Sequence, residues 1–218
     1  MSEQVKPYNS SSKKNQISLM FDNISKTYDK INFIMSFGMD YFWRLKIANR
    51  IKNSTVNILD VATGTADLAI LMSKKTTGNV IGVDISELML DVGRKKVIKK
   101  DISNIELINA DGENLPFEDS SFSLVTSAFG IRNFENIKSG LVEFNRVLKT
   151  EGELIILEPS IPKNLIFKQF YLFYFNIILP VIGYFISKDK RAYQYFTKSV
   201  NAFPSDKKFR KMLEASGF

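Results

Sequence analysis

From residue 56 onward, short apolar runs alternate with stretches whose apolar residues recur at helical spacing. "VNILDVA" (56–62) precedes a helical pattern through Leu68, Ile70, Leu71 and Met72. "NVIGVDIS" (79–86) precedes "ELMLDVGRKKVIKK", with Leu88 and Val92 on one face. "NIELINAD" (104–111) leads into a loop marked by Pro116. "FSLVTSAFG" (122–130) precedes an amphipathic helix carrying Ile137, Leu141, Phe144, Val147 and Leu148 on one side. Gly152 stands where a cap for that helix would fall, and "ELIILEP" (153–159) reads as a strand buried on both faces. Strands alternating with helices predict right-handed crossovers and an α/β fold, a mainly parallel sheet with helices on both faces. Ligands of such sheets lie at the carboxyl ends of the strands. Residues 56–160 are therefore the expected ligand-binding core.

Three segments flank that core. Residues 1–16 are polar throughout and read as a disordered lead-in, with one domain expected over 17–218. Residues 17–52 read as helix, turn, helix, punctuated by Gly38 and with Trp43 on the second helix. Residues 165–186, "LIFKQFYLFYFNIILPVIGYFI", carry a single charge at Lys168 and approach the roughly 20 residues a membrane span needs. Their aromatic content and Pro180 favour a helical cover over the site, spanning 165–200, above a membrane helix. At the end of the chain, "KFRKMLEASGF" predicts a helix with Phe209, Met212 and Leu213 on one face.

Composition removes several chemistries. The 218 residues contain no cysteine and no histidine, so thiolate nucleophiles, thiolate metal sites and imidazole bases are all excluded, and no metal site is expected. Any base must be a carboxylate, tyrosine, lysine, backbone-tuned group or water. The net charge of +7 is spread over lysines in ones and twos, the pattern of a solvated surface more than of a nucleic-acid footprint. The polar start resembles no secretory signal, which points to the cytoplasm.

The turn after the first strand, "ILDVATGTADLAI", holds one glycine where a dinucleotide site wants G-x-G-x-x-G to approach a pyrophosphate. Acids fall at the ends of three successive strands: Asp60, Asp84 and Asp111. Each alone reads as an N-cap or loop acid. Together with a one-glycine turn they suit S-adenosylmethionine, which lacks a pyrophosphate but carries a ribose diol, two amino groups and a sulfonium. An NAD-dependent dehydrogenase is disfavoured by the same glycine count. A nucleic-acid amino-methyltransferase would want [ND]-P-P-[YF] after the fourth strand, where "FGIRNF" stands.

The stretches "YDKINFIMSFGMDYFWR" (28–44), "LDVATGTADLA" (59–69), "GVDISELMLDVGRKK" (82–96), "DGENLPFEDSSF" (111–122) and "FGIRNF" (129–134) resemble the menaquinone/ubiquinone C-methyltransferase family, with agreement from residue 20 to the end. The resemblance implies a Rossmann-like class I S-adenosylmethionine-dependent methyltransferase. It implies that Thr65 lies against the cofactor, that Asp84 binds the ribose, that Asp111 and Gly112 border the adenine, and that Asp60 and Gly64 line the methionine end. Ala66 departs from a frequent glycine, a modest change where its backbone angles stay negative. The family's terminal helix leads into a two-strand hairpin that this chain lacks, so 153–159 is expected at a sheet edge.

The acceptor implied is a polyprenyl naphthoquinol methylated on a ring carbon, the ubiquinone-type benzoquinol being the alternative. Arg132 and Asn133, just past the fourth strand, are candidates for steadying the quinol oxygen as it loses its proton, although Arg132 serves equally as the structural partner of a carboxylate such as Asp29 or Glu158. Tyr28 and Asn32 would shape the substrate mouth, and Asp29 is a candidate base. Expected partners are the lipophilic quinol, the membrane surface and a second copy of the chain, with no nucleic acid. A cofactor-binding scaffold without catalysis is the competing class.

Overall fold

In the computed structural model, the described residues are 5–8, 12–52, 55–160 and 190–218, with isolated positions between 162 and 178. Three helices come first: α1 (Lys13–Ile24), α2 (Tyr28–Ser36) and α3 (Met39–Ala48). The core then alternates β1 (Ile58–Val61), α4 (Asp67–Ser73), β2 (Val80–Asp84), α5 (Glu87–Lys99), β3 (Ile105–Asn109), β4 (Phe122–Ala128), a 3₁₀ turn (Ile131–Asn133), α6 (Ile137–Val147) and β5 (Leu148–Leu157). Two helices close the chain, α7 (Lys190–Ala202) and α8 (Asp206–Glu214).

All five strands are parallel, in the order β3-β2-β1-β4-β5. The order reverses beside β1, whose four residues are all buried. That reversal opens a crevice at the carboxyl ends of β1 and β4, where this class of sheet binds its ligand. The sheet packs on one side against α6, whose Leu141, Phe144 and Val147 are fully buried, and on the other against α4 through Leu68, Ala69 and Met72. Burying a side chain the size of Phe144 contributes about 1.5–3 kcal/mol. β5 pairs only with β4 among the described residues, so 153–157 is an edge as expected, with Phe209, Met212 and Leu213 of α8 packed over the core it bounds.

Four expectations need correction. Packed structure begins well before residue 17: Val5 and Tyr8 pack against the α1 cluster, and the Tyr8 N–H donates to Gln16 Oε1 at 2.8 Å. Ser12 caps α1 by accepting from the Asn15 N–H, and Lys13 and Gln16 are buried. Polar side chains hid that first turn, because the apolar face of α1 starts only at Ile17 and continues through Met20 and Ile24. The 17–52 region is three helices, with a break at 25–27 besides the one at Gly38. Gly152 lies within β5, at an irregular register where Phe122 pairs Leu148 and Leu124 pairs Glu153; α6 ends at Val147 without a glycine. Ala66 adopts φ +65°, a left-handed conformation costing an L-residue roughly 1–2 kcal/mol, so its backbone angles do not stay negative. Most of the apolar stretch 165–186 lies outside the described residues. Among the described residues, no helix is long and apolar enough to cross a membrane.

Candidate active site

Two adjoining spaces open at the crevice. The first is a narrow cleft of about 60 Å³ bordered by Asp84, Asp111, Gly112, Met89 and Phe134. Its floor depends on close backbone approach. A Cβ on Gly112 would stand 2.5 Å from the Phe134 ring and 2.7 Å from Val61, and one on Gly130 would stand 2.4 Å from the Ala62 Cβ. Ala62 and Phe129, which directly follow β1 and β4 at the cleft, take φ +57° and +62°. Left-handed backbone at two non-glycine positions is strain concentrated at a ligand site.

Asp84 sits at the end of β2, where its Oδ2 accepts the Gly64 N–H at 2.8 Å and its Oδ1 the Ser86 N–H at 2.9 Å. Burial pushes its carboxyl up to about 6, against the pull of those backbone donors. A carboxylate has about four lone-pair sites, so acceptor capacity remains beside these backbone donors for an incoming hydroxyl. Asp111 accepts the Glu113 N–H at 3.0 Å and pairs with Lys14 of α1. α1 lies across the cleft: Ser18 Oγ donates to the Ile85 carbonyl, Asp22 accepts from Ser86 Oγ, and Lys13 Nζ donates to the carbonyls of Arg132 and Phe134. α1 thus closes one side of the cleft.

The second space is a cavity of about 650 Å³ built from five separated segments: α1–α3, the loop after β4, the end of β5 with the residues just after it, the pair Tyr171 and Tyr174, and α7. Tyr28, Asn32, Arg132 and Asn133 all line it, as the sequence suggested. So do Glu158, Tyr195 and Phe196, and a rim of Phe37 and Trp43. Arg132 Nη1 lies 2.8 Å from Glu158 Oε2, with both side chains about 5% exposed, and the Arg132 guanidinium stacks 5.1 Å over the Phe196 ring. Burial works to lower the Arg132 pKa, but the Glu158 charge and hydrogen bond more than offset it, so the guanidinium stays charged. Arg132 is thus both ion-pair partner and cavity wall. Three buried atoms on residues that line this cavity have no hydrogen-bond partner among the described residues: Arg132 Nε, Asn133 Oδ1 and Tyr195 Oη. Phe21, Tyr28, Phe129 and Asn133 border both spaces, which makes the two neighbours across one thin wall.

Three anticipated residues face elsewhere. Asp60, 1% exposed, accepts hydroxyl protons from Thr63 and Thr126, each at 2.7 Å, and borders neither space. Burial raises its carboxyl to about 6. It braces the glycine turn from behind. Asp29 accepts from Thr65 Oγ1 at 2.6 Å and pairs with Lys96 at 2.7 Å, so its carboxylate is committed away from the acceptor cavity and is not placed as a base. The Thr65 hydroxyl, turned to Asp29 and Lys96, does not face the cleft either. Gly64, at φ +57°, does adjoin the cleft: it gives its N–H to Asp84, and a Cβ there would stand 3.8 Å from Met89 and 4.0 Å from Tyr28, both of which line it.

The profile of the ubiE/COQ5 methyltransferase family matches residues 9–218. The chain belongs to that family. A demethylmenaquinone methyltransferase from Bacteroides fragilis is 43% identical over 220 residues, covering 99% of this chain and 90% of the relative. Another from Chlorobaculum tepidum is 43% identical over 204 residues, covering 91% and 82% respectively. Among solved structures, phosphoethanolamine N-methyltransferase 2 from Haemonchus contortus, in complex with S-adenosyl-L-methionine, superposes with TM-score 0.59 at 20% identity. That match covers 81% of this chain and 36% of the other, and speaks to the shared Rossmann-like fold alone.

The residues at the cleft fit the cofactor of this family's fold, S-adenosylmethionine. The remaining acceptor capacity of Asp84 suits a hydroxyl of the ribose diol, and Asp111 suits an amine. Ile85, Met89 and Phe134 supply apolar surface for a purine.

Proposed function

We propose that this methyltransferase carries a methyl group from S-adenosylmethionine to a ring carbon of a polyprenyl 1,4-naphthoquinol, converting a demethylmenaquinol to a menaquinol. The observation that carries the reading is the second cavity. It is large, walled mainly by apolar and aromatic side chains, polar around Arg132, Asn133 and Tyr195 and at the Asp40–Arg44 ion pair, and separated from the acid-lined cleft by Tyr28 and Phe129. Those are the needs of an aromatic diol on a lipid tail. The names of the relatives supply the same acceptor independently.

Asp84 and Asp111 would hold the cofactor, which supplies an electrophilic methyl on a sulfonium. The chain's task is then alignment and charge. Fixing two reactants in line can contribute about 7–11 kcal/mol. The acceptor carbon becomes nucleophilic as the hydroxyl ortho to it ionises. Of the two arginines on the cavity wall, Arg44 and Arg132, the one next to Asn133 is assigned as the cation that favours the resulting oxyanion. Arginine does not accept the proton. With Asp29 paired to Lys96, Asp40 to Arg44 and Glu158 to Arg132, water entering by the polar end of the cavity is assigned as the carrier of that proton. When the ring carbon has gained its methyl group, its own hydrogen leaves as a proton and aromaticity returns.

The same reading extends to the membrane surface. α2 and α3 expose Phe33 (62%), Phe37 (79%) and Phe42 (60%) with Met39 and Tyr41 nearby, and Phe37 stands at the cavity rim. An exposed aromatic patch continuous with a lipid-binding cavity suits shallow insertion into a bilayer from the cytoplasmic side.

The test is transfer of labelled methyl from S-adenosylmethionine to a 2-prenyl-1,4-naphthoquinol and, in parallel, to a 2-methoxy-6-prenyl-benzoquinol. The expected result is a C-methylated naphthoquinol formed faster than the benzoquinol product. Transfer to neither acceptor would remove the proposal.

A further inference from the structure

Tyr195 was part of no motif, yet its position is unusual. It lies in α7, is 3% exposed, and lines the acceptor cavity with its hydroxyl unpartnered among the described residues. Its neighbours there are largely apolar, including Met20, Ile24 and Ile31. Phenylalanine would fill the same volume without stranding a hydroxyl, and buried polar groups are nearly always paired. Burial raises the Tyr195 pKa well above the usual phenol value, so the group stays protonated and is a hydrogen-bond donor. The next residue in the helix, Phe196, carries the Arg132 guanidinium on its ring, which brings this part of α7 to the polar end of the cavity. There Arg132 Nε and Asn133 Oδ1 are the other two unpartnered atoms.

A 1,4-quinol presents two oxygens on opposite sides of its ring. Only the oxygen ortho to the methyl-accepting carbon must ionise, and a cation suits it. The oxygen across the ring keeps its proton and needs only a neutral partner.

We propose that Tyr195 is a substrate-binding residue whose hydroxyl donates a hydrogen bond to the quinol oxygen remote from the methylated carbon, while Arg132 and Asn133 meet the near one. This rests on the quinol reading above. It makes Tyr195 the residue that distinguishes a diol from a ring with a single hydroxyl. It also accounts for all three unpaired atoms with one ligand: before it ionises the near hydroxyl donates to Asn133 Oδ1 and accepts from Arg132 Nε, while the remote oxygen accepts from Tyr195.

The experiment compares the full-length protein with Tyr195→Phe. Three acceptors are used: the prenyl-1,4-naphthoquinol and the two prenyl-naphthols that each lack one of its hydroxyls. Calorimetry follows cofactor affinity, and thermal unfolding follows the fold. The expected result is a KM for the quinol raised tenfold or more, with a much smaller change in kcat. Cofactor affinity should stay within twofold and Tm should be unchanged or higher, because the substitution removes an unpaired buried group. On the naphthol lacking the remote oxygen, the two proteins should be equal. A quinol KM unchanged by Tyr195→Phe, a loss that persists on that naphthol, or a lowered Tm would each overturn the proposal while leaving the quinol reading intact. A wild-type protein inert toward all three acceptors would instead overturn the quinol reading, and this proposal with it.

Discussion

The two spaces on either side of Tyr28 and Phe129 are built on opposite rules. On the cofactor side each acid already has donors: Asp84 takes two backbone N–H groups, and Asp111 takes one together with Lys14. On the acceptor side a charged pair, Arg132 with Glu158, is satisfied internally, but three buried polar atoms around it are not. The difference follows from what each error would cost. An uncompensated buried charge costs several kcal/mol, so carboxylates must be paired before any ligand arrives. A neutral hydroxyl or amide left alone costs about 1–3 kcal/mol, which a fold tolerates where a ligand will supply the partner. Pairing therefore marks the preorganised side, and its absence marks where substrate is recognised.

The contrast is tested hardest at Arg132. Arg132→Ala strands the Glu158 carboxylate in a site about 5% exposed. Chemical denaturation should show a loss of about 3 kcal/mol or more. Methyl transfer should fall further than that loss explains, because the oxyanion partner goes too. If stability changes by less than about 1 kcal/mol, the charged pair is not the brace described.

The next largest effect belongs to the cofactor side. Asp84→Ala should weaken S-adenosylmethionine binding more than tenfold, from the loss of a charge-assisted ribose hydrogen bond at about 1.5–3 kcal/mol. With its carboxyl near 6, Asp84 must be ionised to accept the ribose hydroxyl. Affinity should therefore fall as pH drops below about 6, approaching tenfold per unit. The apo fold responds in the reverse sense. Asp60 and Asp84 titrate near 6 in the native state and near 3.9 unfolded. Between those values the native state binds more protons, so these two groups withdraw stability as pH rises through that window. Calorimetry across pH 5–8 that shows flat affinity would separate Asp84 from the ribose.

The smallest effect is at the α1 contact. The Lys14–Asp111 pair is partly exposed and contributes about 0.2–1 kcal/mol. Lys14→Ala should shift stability by no more than that while speeding cofactor association in stopped-flow, since one tie holding α1 over the cleft is gone. Slower association would mean that Lys14 recruits the cofactor instead of guarding its entrance.

Much of the cofactor side was legible because it is local. "ILDVATGTADLAI" places strand, turn and helix in thirteen consecutive residues, and the three strand-end acids follow from counting strands. Even there, side-chain direction was not: Thr65 and Asp60 occupy the motif but point behind it, since a turn fixes backbone position and neighbouring hydroxyls and lysines decide where polar tips go. Gly152 misled for a related reason. A glycine near a helix end suggests a cap, and here it serves an irregular strand pairing. The acceptor cavity was only half legible. Arg132 and Asn133 sit in a recognisable stretch, but Tyr195 comes from a helix more than sixty residues later and meets them only through the fold. The N-terminal turn was missed because Lys13 and Lys14 act through charge and carbonyl contacts, which leave no apolar periodicity.

The division of labour itself is tested most directly by a crystal structure with S-adenosylhomocysteine and a short-chain 2-prenyl-1,4-naphthoquinol bound together. The account predicts the nucleoside between Asp84 and Asp111. It places the naphthalene ring across the Tyr28–Phe129 wall, one oxygen at Arg132 and Asn133 and the other within hydrogen-bond distance of Tyr195 Oη. A ring bound outside this cavity, or a nucleoside that makes no contact with Asp84, would contradict it.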